Sequence, residues 1–225
     1  MDQRYIAINV DKREYLEPPY CVNLQESCHL ETDFITFVDA LTALLKGPWH
    51  GNRVMYISNL AWSCNTGGLT CSGAGILQDL KDNVVIGDAP YSTFGSWRNA
   101  AAYCYAPKKF DYVLRHELSS NSEGFMTEAV PAEGEGLGRE KMRFVVNETQ
   151  RVYYDREKLT KDGFGDAVCD PLLIFLAVGN GLDGGDYHRD EGAELVGSWA
   201  CQTISASNER PEGLREIANP FDPNA

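Results

Sequence analysis

Five side chains able to hold a hard cation or carry a proton crowd into nine residues of this chain: Asp183, Asp186, His188, Asp190 and Glu191. Calcium and magnesium favour several carboxylate and carbonyl oxygens presented by a loop, with glycine where the turn is tight. Gly184, Gly185 and Gly192 supply that glycine. Asp183, Asp186 and Asp190 are therefore the expected metal ligands, and Asp186 and His188, joined by Trp199, the expected ligand contacts. The spacing is not that of an EF-hand, which alternates Asp with single residues and closes on a distal Glu. A solvated acidic loop is the competing reading.

The same stretch begins Gly179-Asn180-Gly181-Leu182-Asp183-Gly184, which satisfies G-x-G-x-x-G after an apolar run. A dinucleotide fingerprint also needs a helix directly after the glycines, to aim its N-terminus at the pyrophosphate. The following residues carry no apolar helical face, and about 40 remain, too few for the parallel sheet of such a fold. Nucleotide binding is not expected here.

Cysteine pairs tempt a zinc reading, because Cys21/Cys28 and Cys64/Cys71 each enclose six residues and His29 adjoins Cys28. Structural zinc ligands usually stand closer, with two to four residues between them, and no C-x-x-C occurs. Free thiols are expected. Nucleophilic catalysis is not signalled: G-x-S-x-G is absent, and Cys71-Ser72-Gly73 lacks the glycine order of a nucleophile elbow. His29, His50, His116 and His188 each need a folded neighbour to become a base. Gly-Ser-Trp occurs at 95–97 and 197–199. A tryptophan after such a turn either anchors a core corner or lines a pocket.

These residues need a scaffold, and the composition bounds it. The chain has 225 residues, 43% hydrophobic and 24% charged, an ordinary globular balance that excludes a wholly disordered or collagen-like protein. Its net charge of −13 argues against nucleic acid and against anionic membrane surfaces, both of which select clustered Lys and Arg. The longest apolar run, 172–178, has seven residues. A spanning helix needs about 20, so no membrane insertion is expected. No signal-peptide core is visible at the N-terminus, and the odd count of seven cysteines fits reduced thiols, so a cytoplasmic protein is expected.

Along the chain, Ile6, Ile8 and Val10 alternate with Tyr5, Ala7 and Asn9, the period of a half-buried strand. Residues 4–16 read as a β-hairpin ended by Pro18 and Pro19. Phe34, Val38, Leu41 and Leu45 mark an amphipathic helix over 33–46, stopped by Gly47-Pro48, and 53–58 reads as a strand. Residues 63–75 read as a polar loop, 83–87 and 112–118 as strands, and 99–105 as a short helix. Aligning Asn9 with Asn147 also aligns Arg13 with Arg151 and Tyr15 with Tyr153, 138 positions apart. Each hairpin is followed by an apolar element, the second (172–178) introduced by Asp170-Pro171, and then by a strand, 53–58 or 203–206.

The fold expected is α+β: two related ββαβ units packed into one globular body. The first unit spans 1–60. A variable middle segment covers 61–118, an acidic Gly/Ser-rich loop or linker 119–140, the second unit 141–207, and an extended tail 208–225.

Three short stretches carry a resemblance: Val10-Asp11-Lys12-Arg13-Glu14-Tyr15-Leu16, Gly179-Asn180-Gly181 leading to Gly184-Gly185-Asp186-Tyr187, and Gly197-Ser198-Trp199-Ala200. Together they resemble a mainly bacterial family of uncharacterised proteins, over about a third of the chain in its terminal regions. The resemblance implies a shared fold and no particular activity. With no triad, metal box or phosphate loop, the expected function is a non-catalytic cytosolic binding or accessory protein. It would use no cofactor, and a small molecule or a protein would be its partner. The alternative is a small-molecule enzyme of hydrolase or isomerase type, with its site in the cleft between the halves.

Overall fold

The computed structural model describes residues 5–16, 24, 32–58, 98–99, 141–159, 170–178, 193–218 and 220. In chain order its strands and helices are β1 (Tyr5–Asn9), β2 (Glu14–Leu16), α1 (Thr32–Lys46), β3 (Asn52–Ser58), β4 (Arg98–Asn99), β5 (Phe144–Asn147), β6 (Val152–Asp155), α2 (Leu172–Leu176), β7 (Ala177–Val178), β8 (Gln202–Ser207) and β9 (Arg215–Glu216). Short 3₁₀ turns occupy Arg156–Lys158 and Ala193–Leu195. This is an α+β arrangement around one mixed sheet, ordered β4-β2-β1-β3-β8-β5-β6-β9, with β7 pairing β3 off that path.

The first hairpin forms in antiparallel register, Ala7 opposite Leu16 and Asn9 opposite Glu14. Its turn has no glycine. Instead Arg13 takes the left-handed conformation at φ 55°, while the Asn9 side chain accepts the Lys12 backbone N–H at 3.0 Å. An L-residue in that region costs about 1–2 kcal/mol, and glycine's extra unfolded-state freedom offsets about 0.5–1 of the relief. Arg13→Gly is accordingly expected to stabilise the chain by about 0.5–1 kcal/mol. A urea midpoint that stays put or falls would refute it.

Helix α1 presents Phe37, Val38, Leu41, Leu44 and Leu45 to the core, all fully buried. It ends where Gly47 N donates to Ala43 O and Leu44 O and Trp49 N donates to Leu44 O at 2.7 Å. Pro48 has no N–H to continue the ladder. The helix packs mainly against β8, with Phe37 also against Tyr56 of its sequence neighbour β3, while α2 packs against β3.

Strand β3 is the hub. Along one side its Val54–Ser58 stretch pairs antiparallel with all of β1, Tyr5 opposite Ser58 and Asn9 opposite Val54. Its other side is shared: Asn52, Arg53 and Val54 meet β8 antiparallel, then Tyr56 and Ile57 meet β7 parallel. Ser58 and Val178 therefore stand at adjacent, parallel strand ends.

Both faces of the sheet carry apolar clusters, which corrects the half-buried reading of β1. Tyr5 and Ala7 join α1 and α2 in the main core, while Ile6 and Ile8 join Met55, Ile57 and Val178 on the other face. A third cluster, Phe144, Val146 and Tyr153 with Leu214, lies on β5, β6 and the segment before β9. Asn99, read as the start of a helix, instead ends β4, parallel to β2. The expected elements at 63–75, 83–87 and 112–118 lie outside the described residues, as does the 119–140 loop.

Candidate functional site

Among the described residues, an enclosed polar constellation is centred on Arg156. Directly after β6 the chain tightens into the Arg156–Lys158 turn, capped by Asp155, whose carboxylate accepts the Glu157 N–H at 3.0 Å. That turn leaves Glu157 and Lys158 exposed and sends the Arg156 side chain inward, where it is 5% accessible. Its Nε donates to Asp170 Oδ2 at 2.7 Å, one terminal nitrogen to Met142 O at 2.9 Å, and the other to Asp39 Oδ1 at 2.9 Å. Asp170, wholly buried, also accepts the Tyr154 hydroxyl at 2.6 Å and the Leu172 N–H at 3.1 Å. So Asp170 caps α2 from one residue before Pro171, whose own side chain makes no capping bond.

The electrostatics fix these charges in place. Burial would lower the Arg156 pKa, but the nearby carboxylate of Asp170, Tyr154 and Asp39 outweigh it and raise the value further. A second set follows the same logic: burial would raise the Asp155 pKa, yet hydrogen bonds from Arg143 and from the Glu157 N–H bring it below the usual carboxylate value. Arg143 spans Asp155 at 2.8 Å and Glu157 at 2.7 Å. At the first hairpin, Asp11 is likewise lowered: desolvation is outweighed by hydrogen bonds from Arg53, which lies 2.7 Å away. Elsewhere Glu14, 1% exposed, accepts the Trp49 indole N–H at 2.7 Å. These groups hold segments together.

Of the residues expected to bind, the structure describes one. Trp199 is 3% exposed and stacked on Phe175 with ring centres 4.4 Å apart, and Tyr154 tilts against it at 6.0 Å. Its surroundings are those of the core-anchoring alternative. Asp183, Asp186, His188, Asp190 and Glu191 lie outside the described residues, as do His29, His116 and the paired cysteines. His50 is on the surface. Among the described residues no group of three or more His, Cys, Asp or Glu could hold a metal ion, and no helix is long and apolar enough to cross a membrane. Cys201, at φ 58°, is half-buried beside Arg53.

Arg156 is the residue that sequence reasoning missed. Asp170 was legible only as a helix cap. The available signal was Tyr154-x-Arg156 leaving a strand ahead of an Asp-Pro helix start, since a buried carboxylate demands a cation.

No protein-family model matches the chain, and neither a curated protein nor a solved structure does.

Proposed function

We propose that this is a non-catalytic, cytoplasmic binding or accessory protein built from two related ββαβ units. One observation carries the functional half of this reading. The charged groups that the described residues bring together are spent on joining segments: Asp11 to Arg53, Asp155 to Arg143, and Asp170 and Asp39 to Arg156.

Matching local geometry supports the two-unit half. The sheet order reads alike from both ends, with Arg53 opposite Thr203 at its centre and a short parallel strand outside each hairpin. Arg13 and Arg151 take φ 55° and 56°. Asn9 accepts the Lys12 N–H at 3.0 Å and donates to Asn52 at 2.9 Å; Asn147 accepts the Gln150 N–H at 2.9 Å and donates to Gln202 at 2.7 Å. The two Gly-x-Trp turns end alike, Asn52 N donating to Trp49 O and Gln202 N to Trp199 O, both at 3.1 Å. Lys12 reaches Pro48 O, and Gln150 reaches Ser198 O. In this reading the units share a hydrogen-bonded ladder, β3 on β8, so the scaffold is one continuous sheet. Ligand contacts belong to what the scaffold carries, with Asp186 and His188 as the proposed contacts and Asp183, Asp186 and Asp190 as proposed cation ligands.

The test is a calcium titration read by thermal melting, beside native mass spectrometry of protein purified from its own host. A ligand in hundredfold excess over its Kd stabilises by about 2.7 kcal/mol, so a specific ion raises Tm by several degrees. An unchanged melt at millimolar calcium and magnesium retires the cation ligands. A mass spectrum showing only the bare chain removes the support for a retained small molecule or partner.

A further inference from the structure

The corner after each helix is closed by the same hydrogen bonds. Gly47 N donates to Ala43 O at 3.0 Å and Trp49 N to Leu44 O at 2.7 Å; Gly197 N donates to Ile174 O at 2.9 Å and Trp199 N to Phe175 O at 2.8 Å. His50 N meets Gly47 O, and Ala200 N meets Gly197 O, both at 3.0 Å. Further on, Val10 N donates to Arg53 O at 3.0 Å and Glu148 N to Thr203 O at 2.9 Å. Gly51 and Cys201 take φ 66° and 58°. Ala43, Leu44, Gly47, Trp49 and Arg53 thus correspond to Ile174, Phe175, Gly197, Trp199 and Thr203.

The lengths of chain between these positions differ. Between Leu44 and Gly47 stand only Leu45 and Lys46, and the helix runs straight into its turn. Between Phe175 and Gly197 stand Leu176, fully buried as Leu45 is, and then residues 177–196. That stretch departs through β7 beside β3 and returns through the Ala193–Leu195 turn, where Leu195 O accepts the Ser198 N–H at 3.0 Å. Gly197 turns at φ 73° to receive it, whereas Gly47 needs no positive φ. Ser198 occupies the place of Pro48, which has no N–H to give. Among the described residues the first unit has no counterpart of β7: β8 pairs with β3 over 202–204 and with β5 over 204–207, and no strand lies beside Ala206 and Ser207 on the β3 side. The middle of 177–196 lies outside the described residues, but its two ends meet at one corner. Lengthening a connection whose ends the fold already joins costs little.

We infer that 177–196 is an insertion into the second unit, spliced between a helix and a turn that the fold can join without it, and that this segment carries recognition rather than folding. The inference rests on the reading above for the two units and for the ligand contacts. Function resides in what is grafted onto a fold. Asp183, Asp186, His188 and Asp190 all fall inside the insertion, whereas Trp199, whose counterpart is Trp49, belongs to the corner.

The test replaces 177–196 with a single lysine, so that Leu176-Lys-Gly197 repeats Leu45-Lys46-Gly47. Buried Val178 and the partly buried Leu195 and Val196 are lost with the segment. The shortened chain is therefore expected to melt in one cooperative transition, lower than the parent by less than about 10 °C. Ser198→Pro distinguishes the insertion from the two-unit reading. In the parent it removes the N–H that Leu195 accepts and should lower Tm; in the shortened chain Leu195 is gone, and proline should be tolerated as Pro48 is. A shortened chain that loses its cooperative melt, or falls further, overturns the insertion alone. One that folds but loses as much to Ser198→Pro as the parent does overturns the two-unit reading and the insertion with it. Calcium and magnesium titrations and native mass spectra of both chains read the recognition half. Whatever the parent binds, the shortened chain should lose; a shortened chain that keeps it overturns that half, as does a parent that binds nothing.

Discussion

Replacing Asp170 with alanine is expected to lower the unfolding free energy by about 3–5 kcal/mol, the cost of breaking a buried charge pair from one side. The carboxylate is wholly buried and receives Arg156, the Tyr154 hydroxyl and the Leu172 N–H. Alanine takes that acceptor from all three, and the guanidinium keeps Asp39, 19% exposed, and a carbonyl. Since domains are stable by about 5–15 kcal/mol, this one change removes a large part of what holds the chain folded. The reverse substitution, Arg156→Met, leaves Asp170 and Asp39 without their cation and belongs in the same range. Joined in one chain, the two changes should cost clearly less than their sum, because a neutral pair no longer carries an uncompensated charge. Denaturant midpoints of the two single variants and the double variant check this. A single variant within 1 kcal/mol of the parent, or strict additivity, would show that the network bears no such weight.

What made this constellation hard to read is distance along the chain. Arg156 meets a residue 14 positions away and another 117 positions away, and neither spacing leaves a periodic trace. Elements whose cause is local were legible. The hairpin shows in the alternation of Tyr5 to Val10, and α1 in its apolar spacing with a Gly-Pro stop, an expected 33–46 against an observed Thr32–Lys46. The run 172–178 was ambiguous for a physical reason: seven apolar residues in a row have no face. The chain divides it, five residues as α2 and then Ala177 at ψ 137° entering β7, because β3 has an open edge there that only extended backbone can satisfy.

The tail was read as extended over the surface, and its strand escaped notice because Arg215-Glu216 has no apolar alternation. The partners that make it a strand, Arg151 and Tyr153, lie more than 60 residues earlier. The second face of β1 was missed for a related reason. Ile6 and Ile8 are apolar in any reading, and only the folded sheet shows that what they face is Met55, Ile57 and Val178 rather than water.

Trp199→Ala should cost about 3–5 kcal/mol, as large aromatic truncations in a core do. The indole fills the corner where the Gly-Ser-Trp turn meets α2, face to face with Phe175 at 4.4 Å and beside Tyr154, while its backbone N–H donates to Phe175 O at 2.8 Å. Removing it would take one ring contact from each of two aromatic neighbours and leave a void that the surrounding ladder is too rigid to collapse. Trp49, wholly buried at the corresponding turn, offers the comparison. Its alanine variant should lose a similar amount and, in addition, leave Glu14 without the indole donor, which makes it the costlier of the two. Trp199→Phe keeps most of the stacking surface and is expected to lose less than half as much as Trp199→Ala. These three variants separate packing from recognition. If Trp199 exists to meet a ligand, its alanine variant unfolds with the parent and loses only binding. If it is the keystone of the α2 corner, stability falls first, and falls in the order Trp49→Ala, Trp199→Ala, Trp199→Phe.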